Sequence, residues 1–142
     1  MSDINDEQRE ALTAHNDARA QKNVQPLTWD GNLANDAQGY AQVLADTQDF
    51  KHSGVQGQGE NLFMSSGDAS LADAVRAWLG EEANYHGEKI GEGDFAAWGH
   101  YTQCMWHNTT NVAVAKARSG DGSTWIVGRY SPPGNWGGET PY

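Results

Sequence analysis

The sequence predicts an α+β domain in which helices pack on a small antiparallel sheet. Three segments with helical period, two β-rich runs flanking a turn signal, and a 142-residue chain with no linker to divide it point to that class. The first helical segment, DEQREALTAHNDARAQ at 6–21, puts Leu12, His15 and Arg19 on one face with Ala11 and Ala18. Asn5 or Asp6 can cap its start. The second, at 30–47, has Asp30 as its N-cap. Its stripe is Leu33, Ala37, Tyr40, Ala41 and Leu44, spaced i, i+4, i+7, i+8 and i+11. The third, SLADAVRAWLGEEANYH at 70–86, opens on Ser70 and Asp73, which have the form of a capping box. Leu71, Ala74, Val75, Trp78 and Tyr85 make its apolar face.

Three runs read as strands. NLFMS at 61–65 is short and half apolar. NVAVAKA at 111–117 and TWIVGRY at 124–130 are β-branched and aromatic, and SGDG between them signals an antiparallel hairpin. GVQGQGE at 54–60 and HGEKIGEGDF at 86–95 read as Gly-rich loops, with His100 opening a short helix after the second. Pro and Gly density makes the end of the chain, 131–142, an irregular tail of one domain spanning 1–142.

Composition narrows the function classes. A chain of this length buries about 70% of its unfolded surface, and six Trp, five Tyr and three Phe supply large apolar area. The formal net charge of −10 argues against a nucleic-acid partner. No window of 18 apolar residues exists to span a membrane. The opening MSDINDEQRE has no basic n-region or apolar h-region, so no signal peptide is expected in it, and Ser2 excludes N-myristoylation. Cys104 is the single cysteine; it rules out an internal disulfide and reads as a small buried hydrophobe in an apolar turn. Asn108-Thr109-Thr110 is a glycosylation sequon that matters if the chain is secreted.

No HExxH or GxSxG motif is present, and GEGDFA at 91–96 follows a helix among acids that would repel a pyrophosphate. What remains is a scattered set of imidazoles and carboxylates: His52, Glu60, Glu81, Glu82 and His100. On an ideal helix at about 100° per residue, Glu81 and Glu82 lie about 60° and 40° to either side of Trp78. Periodicity therefore leaves the choice between them open. Two neutral imidazoles and two carboxylates in one cleft would suit a divalent metal with water in the open positions; the same residues could equally be surface charges or capping groups.

GHYTQCMWHNT at 99–109 resembles the first signature of the CAP superfamily, which comprises cysteine-rich secretory proteins, antigen 5 and plant pathogenesis-related class 1 proteins. IVGRYSPPGNW at 126–136 resembles the second. HNDARA at 15–20, VQPLTWDGNLANDAQGYA at 24–41, KHSGVQGQGENLF at 51–63, the Trp78-x-x-Glu81 spacing and the ending PPGNWGGETPY are similar to the plant members, in order. The resemblance implies a three-layer α-β-α sandwich with a small central antiparallel sheet. It implies His52 and His100 as ligands of a divalent metal, zinc or else magnesium, with Glu60 and Glu81 as the cleft acids and Glu82 a solvated neighbour. His15, Asn16, Arg19, Gln103, Trp106 and Asn135 match family positions and read as scaffold, while His86 and His107 have no family role and are expected to be exposed.

Functionally, the resemblance implies a non-enzymatic protein that binds small lipids, sterol or fatty acid, in a defence or host-interaction setting, as a monomer or weak dimer that can meet membrane lipids. Tyr85, Phe95 and Trp98 are its candidate lipid contacts, with core or loop anchoring as their other reading. A metal-dependent hydrolase or protease with Glu60 or Glu81 as general base is the alternative, as is a precursor of a signalling peptide from Pro132–Tyr142. Extracellular relatives usually carry paired cysteines, one of them where this chain has Gly128. The resemblance favours an extracellular location, and the missing cysteines resemble an intracellular, Golgi-associated branch.

Overall fold

The computed structural model describes residues 4–142; the N-terminal readings that fall on Met1, Ser2 and Asp3 lie outside the described residues. Helix α1 (Asp6–Gln21) starts at Asn5, whose side chain accepts from the Gln8 amide while Gln8 caps back, and it buries Ala11, His15 and Arg19. Strand β1 (Thr28–Trp29) follows, then α2 (Gly31–Thr47), capped by Asp30 on the amides of Asn32 and Leu33. Next come β2 (Gly59–Ser65), α3 (Leu71–Leu79) with the expected Ser70/Asp73 capping box, α4 (Phe95–Met105), β3 (Asn111–Arg118) and β4 (Thr124–Ser131).

The sheet runs β1-β3-β4-β2, with β3/β4 and β4/β2 antiparallel. It is an α-β-α sandwich. The alternation of β3 and β4 divides the core: Val112, Val114, Ile126 and Tyr130 face α1, α3 and α4, whereas Ala115, Ala117, Trp125 and Val127 meet the Ala37–Ala41–Leu44 stripe of α2.

Three local expectations are corrected. The third helix is not continuous to residue 86: at Gly80 it tightens into a 3₁₀ turn, Gly80–Asn84. The fourth begins at Phe95, so His100 lies within it instead of opening it, and Cys104 sits in its last turn, fully buried, with its thiol pushed up to about 12 by burial. Two-residue β1 pairs parallel with β3 and makes the sheet mixed. His107 is exposed as expected, yet its Nδ1 and backbone amide both reach the Pro141 carbonyl, at 2.8 Å each. The segment after β4 carries no helix or strand and is fastened by that contact, by Ile90–Glu139 backbone bonding and by Tyr101–Tyr142 hydroxyls 2.9 Å apart.

The scaffold residues form buried polar ties. Arg19 is fully buried and donates to four carbonyls: Gln25 (2.6 Å), Cys104 (2.9 Å), Trp106 (3.0 Å) and Thr109 (3.1 Å). Burial draws its pKa down to about 10, so it remains charged at neutral pH. His15 is fully buried and bonds the Tyr130 hydroxyl at 2.8 Å, and Asn16 exchanges two bonds with the backbone of Leu27. Gly128 packs flat on Trp78: an added Cβ would lie 3.0 Å from two of its ring carbons. The indole thus occupies the space beside Gly128.

Candidate metal cleft

Strand β2 and helix α4 meet at one end of the sandwich. The stretch before β2 carries His52, β2 carries Glu60 and Asn61, and α4 carries His100. A cavity of about 290 Å³ opens there, lined by His52, Glu60, Asn61, Phe95, His100 and Asn135 among others. Glu81, on the 3₁₀ turn, stands behind His100 and is not part of the wall.

Each imidazole is bound through Nδ1 to a carboxylate, that of His52 to Glu60 Oε1 at 2.9 Å and that of His100 to Glu81 Oε2 at 2.8 Å. A carboxylate only accepts, so Nδ1 carries the hydrogen in both rings and Nε2 keeps its lone pair. Among the described residues neither Nε2 has a hydrogen-bond partner. A carboxylate fixing one ring nitrogen while the other faces an open site is the usual support of a metal-binding histidine, so the donor set fits a divalent ion. Imidazole nitrogen suits zinc and does not suit magnesium.

The acids are occupied as hydrogen-bond acceptors. Glu81, and not Glu82, accepts the backbone amides of His100 (2.9 Å) and Tyr101 (3.2 Å) as well as the ring. Glu82 instead lies 3.5 Å from Lys22 at the surface. Glu60 accepts from the Ser53 amide (2.9 Å), the Ser53 hydroxyl (2.8 Å) and Arg129 Nε (2.9 Å) besides His52. Burial pushes its carboxyl upward, but the hydrogen bonds from His52 and Ser53 and the nearby guanidinium outweigh it and hold it at about 2. Consistent with this, no group of three or more His, Cys, Asp or Glu side chains among the described residues could hold a metal together. The two carboxylates orient the imidazoles instead of adding to the donors.

The three aromatic candidates part company. Trp98 is 1% exposed and packs edge-on to Tyr85 and Phe95, with ring centroids 5.2 and 5.3 Å away. Tyr85 is half-buried and anchored by its hydroxyl on the Glu88 carbonyl. Only Phe95, 42% exposed, lines the cavity. Sequence reasoning gave no part to Ser53, Arg129 or Asn61. Asn61 is buried and bonds the His100 carbonyl from β2, and Asn135 bonds the Gly99 carbonyl from beyond β4.

The profile of the family described as "CAP: Cysteine-rich secretory protein family" matches residues 12–130. The chain belongs to the CAP family. CAP relatives include pathogenesis-related leaf protein 4 of Solanum lycopersicum, 42% identical over 133 residues that cover 92% of this chain and 80% of that one. Pathogenesis-related protein 1A of Nicotiana tabacum is 41% identical over 136 residues, 95% of this chain and 80% of the relative. Among solved structures, NaASP2 with Zn2+ superposes with a TM-score of 0.82 at 26% identity, covering 98% of this chain and 86% of that one. This CAP domain has one cysteine and is therefore free of internal disulfides. No helix among its described residues is long and apolar enough to cross a membrane.

Proposed function

We propose that this CAP protein is a non-enzymatic binding module of the secreted, defence-related kind. Its cleft takes a divalent metal, zinc in preference to magnesium, between Nε2 of His52 and Nε2 of His100, and a small lipid, sterol or fatty acid, lies against Phe95. The observation that carries this reading is the paired Nδ1–carboxylate support of two imidazoles that line one cavity, each with Nε2 free of a hydrogen bond among the described residues. The solved zinc form of NaASP2 supports the choice of ion. A bound ion would supply Lewis acidity; the chain's own residues hold the two rings and keep their protons on Nδ1. Hydrolysis is the weaker reading, because Glu81 stands behind His100 outside the cavity lining and a Glu60 carboxyl held at about 2 is a poor general base near neutral pH. Zinc titration by calorimetry tests the metal: saturable binding by the wild type, weakened by His52→Ala or His100→Ala and abolished in the double variant, is the expected result. A double variant that binds zinc like the wild type overturns it. For the lipid, saturable uptake of labelled cholesterol or palmitate that falls in Phe95→Ser is expected, and no saturable uptake of either removes that half.

A further inference from the structure

The two carboxylates behind the imidazoles differ in one respect. Glu81 is met by backbone amides, whereas Glu60 is met by a cation. Arg129 of β4 stands directly opposite Glu60 of β2 in the antiparallel register. Both side chains are buried, at 5% and 6% exposure. The guanidinium divides its donors: Nε goes to Glu60 Oε2 at 2.9 Å, Nη1 to Gln58 Oε1 at 2.8 Å and Nη2 to Ser53 Oγ at 3.4 Å. Ser53 in turn donates its hydroxyl to Oε2 and its amide to Oε1. The Tyr40 ring lies 5.5 Å from the guanidinium carbon. Oε2 is thereby held by Arg129 and Ser53, and Oε1 faces His52.

His52 needs that help. It lies in a stretch with no helix or strand, is 62% exposed, and its ring has one hydrogen bond among the described residues, the one to Glu60. The ring's orientation and tautomer therefore follow from where Oε1 stands, and where Oε1 stands follows from the guanidinium fork on Oε2 together with the Ser53 amide on Oε1 itself. We propose that Arg129 is the positioning residue of the cleft: through Glu60 it fixes the hydrogen of His52 on Nδ1 and presents Nε2 to the cavity as a donor for a divalent ion. Its consequence for metal affinity rests on the metal-binding reading above; its consequence for the His52 tautomer does not. The fork matters as well as the charge, since lysine brings one ammonium and cannot reach Oε2, Gln58 and Ser53 in one plane.

The test combines long-range ¹H–¹⁵N spectra of the imidazoles, at about pH 8 where ordinary histidines are neutral, with zinc calorimetry on the wild type, Arg129→Lys and Arg129→Gln. The expected wild-type spectrum has both His52 and His100 as the Nδ1–H tautomer. In either variant His52 shifts to a mixed or Nε2–H form while His100 does not change, and zinc affinity falls about tenfold or more. Folded variants in which His52 keeps the Nδ1–H tautomer and wild-type affinity overturn the proposal. Should neither variant fold, Gln58→Ala, which releases Nη1 of the guanidinium and touches neither Glu60 nor His52, replaces them: a His52-selective tautomer change supports the proposal, and an unchanged His52 overturns it. A wild-type His52 already in the Nε2–H form overturns it outright. A tautomer change without zinc binding in the wild type leaves the positioning role standing and removes the metal, whereas zinc binding together with an unchanged His52 tautomer in the Arg129 variants does the reverse.

Discussion

His52 stands on an irregular stretch beside an edge strand and is mostly exposed, whereas His100 sits inside helix α4 and is largely covered, with Trp78 stacked beside it at 6.5 Å and 13°. Their acids differ in the opposite sense. Glu60 behind the exposed ring is deeply buried with a buried Arg, and Glu81 behind the covered ring is half-buried against helix amides. The contrast teaches that the same Nδ1–carboxylate bond can be fixed from either end. Where the backbone already holds the imidazole, amides suffice to hold the acid; where the imidazole hangs on a loop, the acid must be immobilised by a countercharge.

The largest consequence lies in the acids. Glu60→Ala leaves Arg129 buried without its partner and is expected to lower stability by about 3–5 kcal/mol, while Glu81→Ala is expected to lower it by about 1–3 kcal/mol for the amides left short of an acceptor. Urea unfolding of the two variants decides it, and equal losses would show that the countercharge does not separate the arms. The next effect is acid sensitivity. Glu60 titrates at about 2 in the fold and near 4.5 unfolded, so its contribution, about 3 kcal/mol, is complete above pH 4.5 and vanishes as pH falls toward 2. His15, outside both arms, is lowered by burial from 6.5 to about 4 and removes stability in the higher window, as pH falls from 6.5 to 4. Unfolding free energies across pH should flatten in the lower window for Glu60→Gln and in the upper one for His15→Gln.

A smaller effect should reach only one arm. In Gly128→Ala the new methyl presses on Trp78, the ring stacked on His100. A loss of about 1–3 kcal/mol is expected, with imidazole shifts at His100 and not at His52; NMR and urea unfolding together read both. Smallest of all, His52→Ala should change the metal-free melting free energy by less than about 0.5 kcal/mol, since an exposed ring with one bond carries little of the fold. Differential scanning calorimetry against His100→Ala, for which a loss of about 1 kcal/mol is expected, completes the ranking.

Much of this architecture was legible in the residues. Asp30 and Ser70 mark their helix starts, Asn5 is one of the two caps open to the first helix, and the β3–β4 hairpin follows from two β-branched runs around SGDG. The start of helix α4 is not marked in the sequence, where Gly-rich chain precedes it, and in the structure Asp94 makes no side-chain cap bond. Strand β1 is two residues long, too short for any alternation to show. Glu81 and Glu82 could not be ranked because the helix tightens at Gly80, and the 100° step ceases to apply there. In the sequence Arg129 is one more residue of a β-branched and aromatic run. Its signal, an opposite charge across from Glu60, becomes visible only once the β2–β4 register is known.

Arg19 offers a last consequence. With one thiol in the chain, the junction of α1, the end of α4 and the approach to β3 is tied by a cation nested among four peptide oxygens. Such a knot contains no atom that glutathione or oxygen can convert, so the domain should keep its shape unchanged on passing between a reducing and an oxidising compartment.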